Sequence, residues 1–262
     1  MFKRIIGSLL VLAAATVPAP GYPAEEPPSA TRIVSAADKV RNPQQPFRSS
    51  LDIVEYVRGS QREQTGLVVH AKLSPGISQH KNLVLYVSPA RDVGKLVLLS
   101  GSNMWFYDPA SKASIRISPQ QRLTGQASEG DVLTVNLAAD YDAKIVGEET
   151  IQDADKATKN VWHLELTRST SEAMYAKLDY WVEKGTYRPI KAKFFSDSGR
   201  VLKIAYYRRY DKRLGEDRPT ETIIIDGVDT NLVTKITYSD FRPEELPDEW
   251  FQCDYLPRFK MD

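Results

Sequence analysis

Residues 100–123, SGSNMWFYDPASKASIRISPQQRL, decide the fold. An aromatic strand over 104–107 runs into an Asp108-Pro109 turn, and a short return strand over 114–117 places Arg116 between Ile115 and Ile117. Ser118 and Pro119 then carry the signature of a helix start. A Ser side chain accepts backbone N–H donors at an N-cap, and proline suits the first helical position. Alternation sets Met104 and Phe106 against Trp105 and Tyr107, so one pair faces an interior. Met104 and Phe106 are the candidates. Nothing in the block places a nucleophile beside a base.

Outward from that hairpin, the chain is dominated by period-two segments rich in β-branched and aromatic residues, from 47–57 to 232–241. Most connections are short and carry Gly, Pro, Asn or Asp, which implies antiparallel neighbours. The expectation is a β-dominated (α+β) chain. Its single strongly curved antiparallel sheet has about eleven strands and forms an incomplete, half β-barrel, with helices over its apolar concave face. Helix is expected at 30–40, where Ile33, Ala37 and Val40 share a face, Ser29 or Thr31 can cap, and Asn42-Pro43 stops the run. A second, interrupted helix is expected within 119–140, where Gly125 and Gly130 suit either a movable cover or a plain loop. A third is possible at 243–246.

Strand alternation assigns the apolar face. On it fall Leu67 and Val69; Leu83 and Leu85; Trp162, Leu164 and Leu166; Leu178 and Tyr180; Phe194; and Leu202, Ile204 and Tyr206. Lys203 and Ala205 fall on the opposite, wet face with Lys191 and Lys193. An apolar face this wide needs a cover: a second sheet would give an ordinary packed core, whereas a few helices would leave a cavity that a lipid could enter.

The N-terminus reads as an address. Basic Met1-Phe2-Lys3-Arg4 precedes 13 mostly apolar residues, 5–17, and small or turn-forming residues up to Ala24. That run is short for a bilayer of about 30 Å, so residues 1–24 read as a cleaved secretory signal, with cut sites near Gly21 or Ala24. The rest, 25–262, reads as one periplasmic domain. Removing Lys3 and Arg4 from 35 basic residues leaves 33 against 34 acidic ones, a charge near −1. Such a balance disfavours a nucleic-acid partner. Cys253 is the lone cysteine, so no intramolecular disulfide forms. The histidines, His70, His80 and His163, show no metal-ligand spacing, and no G-x-S-x-G, H-E-x-x-H or P-loop motif occurs. No catalytic residue, metal or cofactor is nominated, and an enzyme is not expected.

Four tracts carry a resemblance. They are ATRIVSAADKVRNP (30–43), FRSSLDIVEYVRGSQREQTGLVV (47–69), LYVSPARDVGKLVLLSGSNMWFYDPASKASIRISPQQRLTGQ (85–126) and YWVEKGTYRPIKAKFFSDSGRVLKIAYY (180–207). Together they resemble the LolA-like outer-membrane lipoprotein-sorting family over roughly residues 30–242. The resemblance implies an incomplete barrel plugged by helices, with a hydrophobic cavity that shields lipid or lipoprotein acyl chains between the inner and outer membranes. Some relatives are thought to work beside inner-membrane exporters of the resistance-nodulation-division (RND) type. It also implies a non-enzymatic monomer. An alternative is an envelope sensor or interaction module of the RseB type, which would use the same fold to bind a protein partner. Arg116 and Arg122 are candidates for holding the cover or touching an acidic head group; they are equally readable as solvated charges beside a turn. The chain departs from the family at 124–141 and in an extension from about 243, whose Trp250, Phe251, Tyr255 and Phe259 suggest a C-terminal strap.

Overall fold

The computed structural model describes residues 27–76, 78–170 and 173–260; the expected signal segment 1–24 lies outside them. Helix α1, Ala30–Arg41, opens the fold, with Ser29 Oγ accepting from Arg32 N at 3.3 Å as the N-cap. Its far end is closed by a side chain distant in sequence. The buried Arg218 guanidinium donates 2.9 Å hydrogen bonds to the carbonyls of Lys39 and Val40, which no helical partner can satisfy.

Six strands follow in sequence: β1 (Phe47–Val57), β2 (Ser60–Leu73), β3 (His80–Ser88), β4 (Leu96–Ser100), β5 (Asn103–Asp108) and β6 (Ala113–Arg116). After a crossing segment, discussed below, seven more strands run from β9 (Tyr141–Gln152) and β10 (Thr158–Arg168) through β11 (Lys177–Glu183), β12 (Pro189–Phe195), β13 (Val201–Arg213), β14 (Glu216–Asp226) and β15 (Leu232–Pro243). They form one 13-stranded sheet in the order β6-β5-β4-β3-β2-β1-β15-β14-β13-β12-β11-β10-β9. Every pair is antiparallel, and the sheet is open, with edges at β6 and β9. The strand number is thus 13 rather than about eleven, because runs as short as the five residues of β4 and four of β6 still join the ladder.

The single non-sequential neighbour pair is β1 with β15, which places Ile53 opposite Ile236 in mid-sheet. Residues 117–140 therefore leave one edge of the open sheet and return at the other, across its concave face. They do not form the expected helix. Ser118 and Pro119 open a turn closed by Gln121 N to Ser118 O at 2.9 Å. A two-stranded ribbon follows, β7 (Arg122–Thr124) with β8 (Ala127–Ser128), then a 3₁₀ turn, Glu129–Val132, and a single α-turn, α2, Leu137–Asp140. Gly125 makes the ribbon's turn at φ +59°, and a Cβ there would strike Thr234 Oγ1 and Glu55.

The apolar concave face packs against α1 and this crossing segment. Ile33, Val34 and Ala37 of the helix, and Val132, Leu133, Val135 and Leu137 of the cover, join the same buried cluster as Leu67, Leu164 and Leu178. Burial of each such aliphatic side chain stabilises the fold by about 1.5–3 kcal/mol.

The convex face is not simply wet. A second cluster joins Val68, Leu83, Leu85, Leu96, Leu98 and Tyr107 to Leu246, Phe251 and Leu256, with Trp250 and Phe259 against it. The chain after β15 is thus a strap of two 3₁₀ turns, Asp248–Phe251 and Cys253–Arg258, with no helix at 243–246. His70 anchors it: Nδ1 meets Glu244 Oε2 at 2.6 Å, and the ring packs edge-on to Trp250. Leu83 and Leu85 belong to this convex cluster, so their assignment to the cavity face is corrected. Both faces of β3 are covered, which is why alternation misled there.

Strand β13 is reversed as well. Lys203 lies opposite Phe194 and Ala205 opposite Ala192, whereas Ile204 and Tyr206 lie opposite Lys193 and Lys191. Lys203, Ala205 and Tyr207 therefore face inward, and the inward assignment of Ile204 and Tyr206 is corrected. A register irregularity at Phe194/Phe195 leaves Leu202 at the margin, packed against the main cluster.

Candidate functional site

Between the concave face and the cover lies a cavity of about 110 Å³, measured to the centre of a water-sized sphere. The sheet supplies Phe47, Leu51, Val69, Phe194, Ala205 and Ile224; the cover supplies Val132, Leu133, Val135 and Leu137. The wall is mostly aliphatic and aromatic, as a site for an apolar ligand requires.

The cover is fastened by polar side chains that project from an otherwise apolar face. Thr65 Oγ1 and Thr124 Oγ1 share a hydrogen bond at 2.6 Å, and Gln126 N donates to Thr234 Oγ1 at 2.7 Å. Asn82 treats Thr134 as a strand neighbour would, accepting from its N–H at 2.8 Å and donating to its carbonyl at 3.0 Å. Gln79 does the same for Asn136. Asn42, just past α1, donates to Val135 O at 2.8 Å. Each bond contributes a net 0.5–1.5 kcal/mol or so, and each leaves a buried group unpaired if broken.

Two charged fastenings stand out. Lys203, 4 % exposed, rises from β13 to form an ion pair with Asp131 and donates to Ser128 Oγ at 2.8 Å. Its ammonium also sits 5.1 Å over the Tyr175 ring. Asp131 in turn accepts from Tyr175 Oη at 2.8 Å and from Ser128 N at 2.7 Å. Tyr86 Oη donates to Glu129 Oε1 at 2.7 Å. Burial pushes the Glu129 carboxyl up to about 7, against the opposing pull of the Tyr86 hydrogen bond. Beneath α2, Asp38 accepts from Arg41 Nη2 at 2.9 Å and from Ala138 N at 2.8 Å. Burial raises the Asp38 pKa, with Arg41 acting in the opposite direction.

Of the residues assigned to the cavity from sequence, Val69 and Phe194 line it directly. Leu67, Met104, Trp162, Leu164, Leu166, Leu178 and Tyr180 lie in the same buried concave cluster, with Phe106 packed against it. Met104 is 2 % exposed, whereas Tyr107 joins the convex cluster, so the opening hairpin turns its Met104/Phe106 pair inward. Arg116 is exposed on the edge strand β6, and Arg122 lies in β7 opposite Ser128. Lys203, Asp131, Glu129 and the polar concave residues were missed. A lysine between Leu202 and Ile204 reads as solvent-facing unless its cross-strand partner, Phe194, is known.

Among the described residues, no group of three or more His, Cys, Asp or Glu side chains is placed to hold a metal ion. Among the same described residues, no helix is long and apolar enough to cross a membrane.

Comparison with known proteins agrees with this architecture. A family model described only as an uncharacterized protein matches residues 78–258. No curated protein matches the chain. The crystal structure of a putative outer membrane lipoprotein-sorting protein domain from Vibrio parahaemolyticus superposes with a TM-score of 0.72 at 20% identity, covering 86% of this chain and 97% of that one. A DUF1329 family protein from Desulfovibrio piger gives 0.73 at 22% identity, over 87% and 97%. These two share the fold. LolA superfamily protein NE2245 from Nitrosomonas europaea goes further, with a TM-score of 0.78 and 33% identity over 87% of this chain and 100% of that one. An open antiparallel sheet, a covered concave cavity and that degree of identity along the whole of a relative lead to one assignment: the chain belongs to the LolA superfamily.

Proposed function

We propose that the protein is a periplasmic, non-enzymatic, monomeric carrier that shields lipid or lipoprotein acyl chains while they pass between the inner and outer membranes. The observation that carries this reading is the apolar cavity beneath residues 117–140, a cover of short elements tied to the sheet by side-chain hydrogen bonds. Each methylene buried from water is worth about 0.8 kcal/mol, so an acyl chain repays such a cavity without specific polar contacts. Full entry requires the cover to lift, and polar tethers that water can replace suit such a movement. The signal-like residues 1–24 supply the address. An inner-membrane exporter of the RND type is the donor or acceptor we expect.

The test is direct. The purified protein is extracted with organic solvent and the extract analysed by mass spectrometry, then the protein is titrated with a fluorescent fatty acid. Co-purifying lipid and a saturable site support the carrier. If no lipid is found and the probe detects no site, the reading fails.

A further inference from the structure

Arg41 and Tyr207 line the apolar cavity with Tyr180 buried beside them, and we propose that this polar corner holds the anionic head, carboxylate or phosphate, of a single-chain amphiphile. The inference rests on the carrier reading and adds to it the class and orientation of the ligand.

Arg41 lines the cavity and spends Nη2 on Asp38 and on the carbonyl of Val135, at 2.9 and 2.8 Å. Its Nε is buried and meets no acceptor in the protein. Tyr180 is 0 % exposed, and its hydroxyl proton also finds no acceptor. Its cross-strand neighbours, Leu164 and Ala192, belong to the concave cluster, so its side chain enters the same layer. The ring meets Tyr207 edge-on at 6.5 Å, and Tyr207 lines the cavity. Burial holds both phenols above their ordinary pKa, while Arg41 acts the other way, by its charge and as a hydrogen-bond donor to their oxygens. They are neutral O–H donors beside a cation.

Three other tyrosines do find acceptors. Tyr86 donates to Glu129, Tyr175 to Asp131, and Tyr210 to the carbonyl of Pro189. A buried donor left unmet is costly, so the Tyr180 hydroxyl and the Arg41 Nε–H together call for an acceptor. The nearby carboxylates are already used: Asp38 on Arg41 and Ala138 N, Asp131 on Lys203, Ser128 and Tyr175. Asp38 and the Val135 carbonyl take both Nη2 protons and leave the Nε–H. One oxygen of a second oxyanion can accept from that single donor. An ionised oxygen makes stronger bonds to these donors than a neutral ester carbonyl does.

The experiment titrates the protein with palmitate, hexadecyl phosphate and methyl palmitate, each read by displacement of a fluorescent fatty acid. At least one of the two acids is expected to bind about ten-fold more tightly than the ester, the size of a charge-assisted hydrogen bond. Which acid prevails separates a carboxylate ligand from a phosphate one. The double variant Tyr180→Phe/Tyr207→Phe removes two oxygens and leaves the rings. It is expected to lose most of that preference for the acids over the ester. Tyr207→Phe alone serves if the double variant does not fold. Equal binding of acids and ester by the wild type, or an undiminished preference in the variants, overturns the head-group assignment and leaves the carrier reading standing. Failure of all three ligands, the ester included, overturns the carrier reading and this assignment with it.

Discussion

Tyr86 on the sheet and Glu129 on the cover share a buried hydrogen bond of 2.7 Å, and the other oxygen of that carboxyl has no partner in the protein. The pair is a proton-dependent fastening. Burial holds the folded pKa of Glu129 at about 7, above its ordinary value of 4.5. A group whose folded pKa is raised contributes stability that is fully present below the unfolded pKa and is lost as pH rises through the folded one. The cover is therefore most firmly seated near pH 4.5 and loosens towards pH 8, by roughly 3 kcal/mol at most. Hydrogen-exchange protection over residues 122–135, taken relative to the intrinsic amide rate at each pH, should fall across that window in the wild type. Glu129→Gln should flatten the profile. A wild-type profile already flat between pH 5 and 8 contradicts the assignment.

Lys203 and Asp131 form the second charged fastening. Lys203→Met leaves Asp131 with Tyr175 and Ser128 but without its cation, and should destabilise the protein by about 3–5 kcal/mol, as breaking a buried pair does. Replacing both, Lys203→Met with Asp131→Leu, should recover a substantial part of that loss. Denaturant unfolding of the wild type, both single variants and the double gives the coupling directly. Additive losses would show that the two charges act independently.

The two faces of the sheet separate binding from stability. Ala205 lines the cavity, and Ala205→Phe places a ring inside it. Uptake of a fluorescent fatty acid should fall at least ten-fold in this variant, with the fold retained by circular dichroism. Leu83 lies under the strap, and Leu83→Ala should cost about 2–5 kcal/mol with unchanged uptake. Reversed results would invalidate the face assignment.

Truncation after Pro243 removes the strap and bares Val68, Leu83, Leu85, Leu96 and Leu98. It also strips His70 of Glu244 and Lys72 of Asp248, a 3.0 Å ion pair. The shortened protein should bind a hydrophobic dye on its convex face and aggregate at concentrations where the full chain stays in solution. Light scattering of the two proteins side by side decides the matter.

What could be read from the sequence was what local rules control. Helix α1 was legible because Ser29 and the Asn42-Pro43 pair bracket it. The inward faces of β10 and β11 were legible because Leu164, Leu166, Leu178 and Tyr180 alternate with charged or polar residues. Alternation failed on β3, where the strap covers what would otherwise be a wet face, and on β13, where apolar residues occur on both sides. The cover resisted reading for a different reason. Its backbone is held by remote partners, Gly130 N on Pro119 O and Thr134 N on Asn82, so no local periodicity records its path. Lys203 was invisible for the same cause, since its role depends on Asp131, 72 residues away.

The pairing of β1 with β15 also bears on how the chain is assembled. Ile53 must wait for Ile236 before its second backbone ladder exists. A chain made or threaded from its N-terminus holds six consecutive strands with the β1 edge bare until the last strand arrives. Contacts this distant in sequence form slowly, and a bare, regular edge invites pairing with other chains. The seam is thus the late step of folding. Until that strand arrives, this is the edge that a holding chaperone would need to guard.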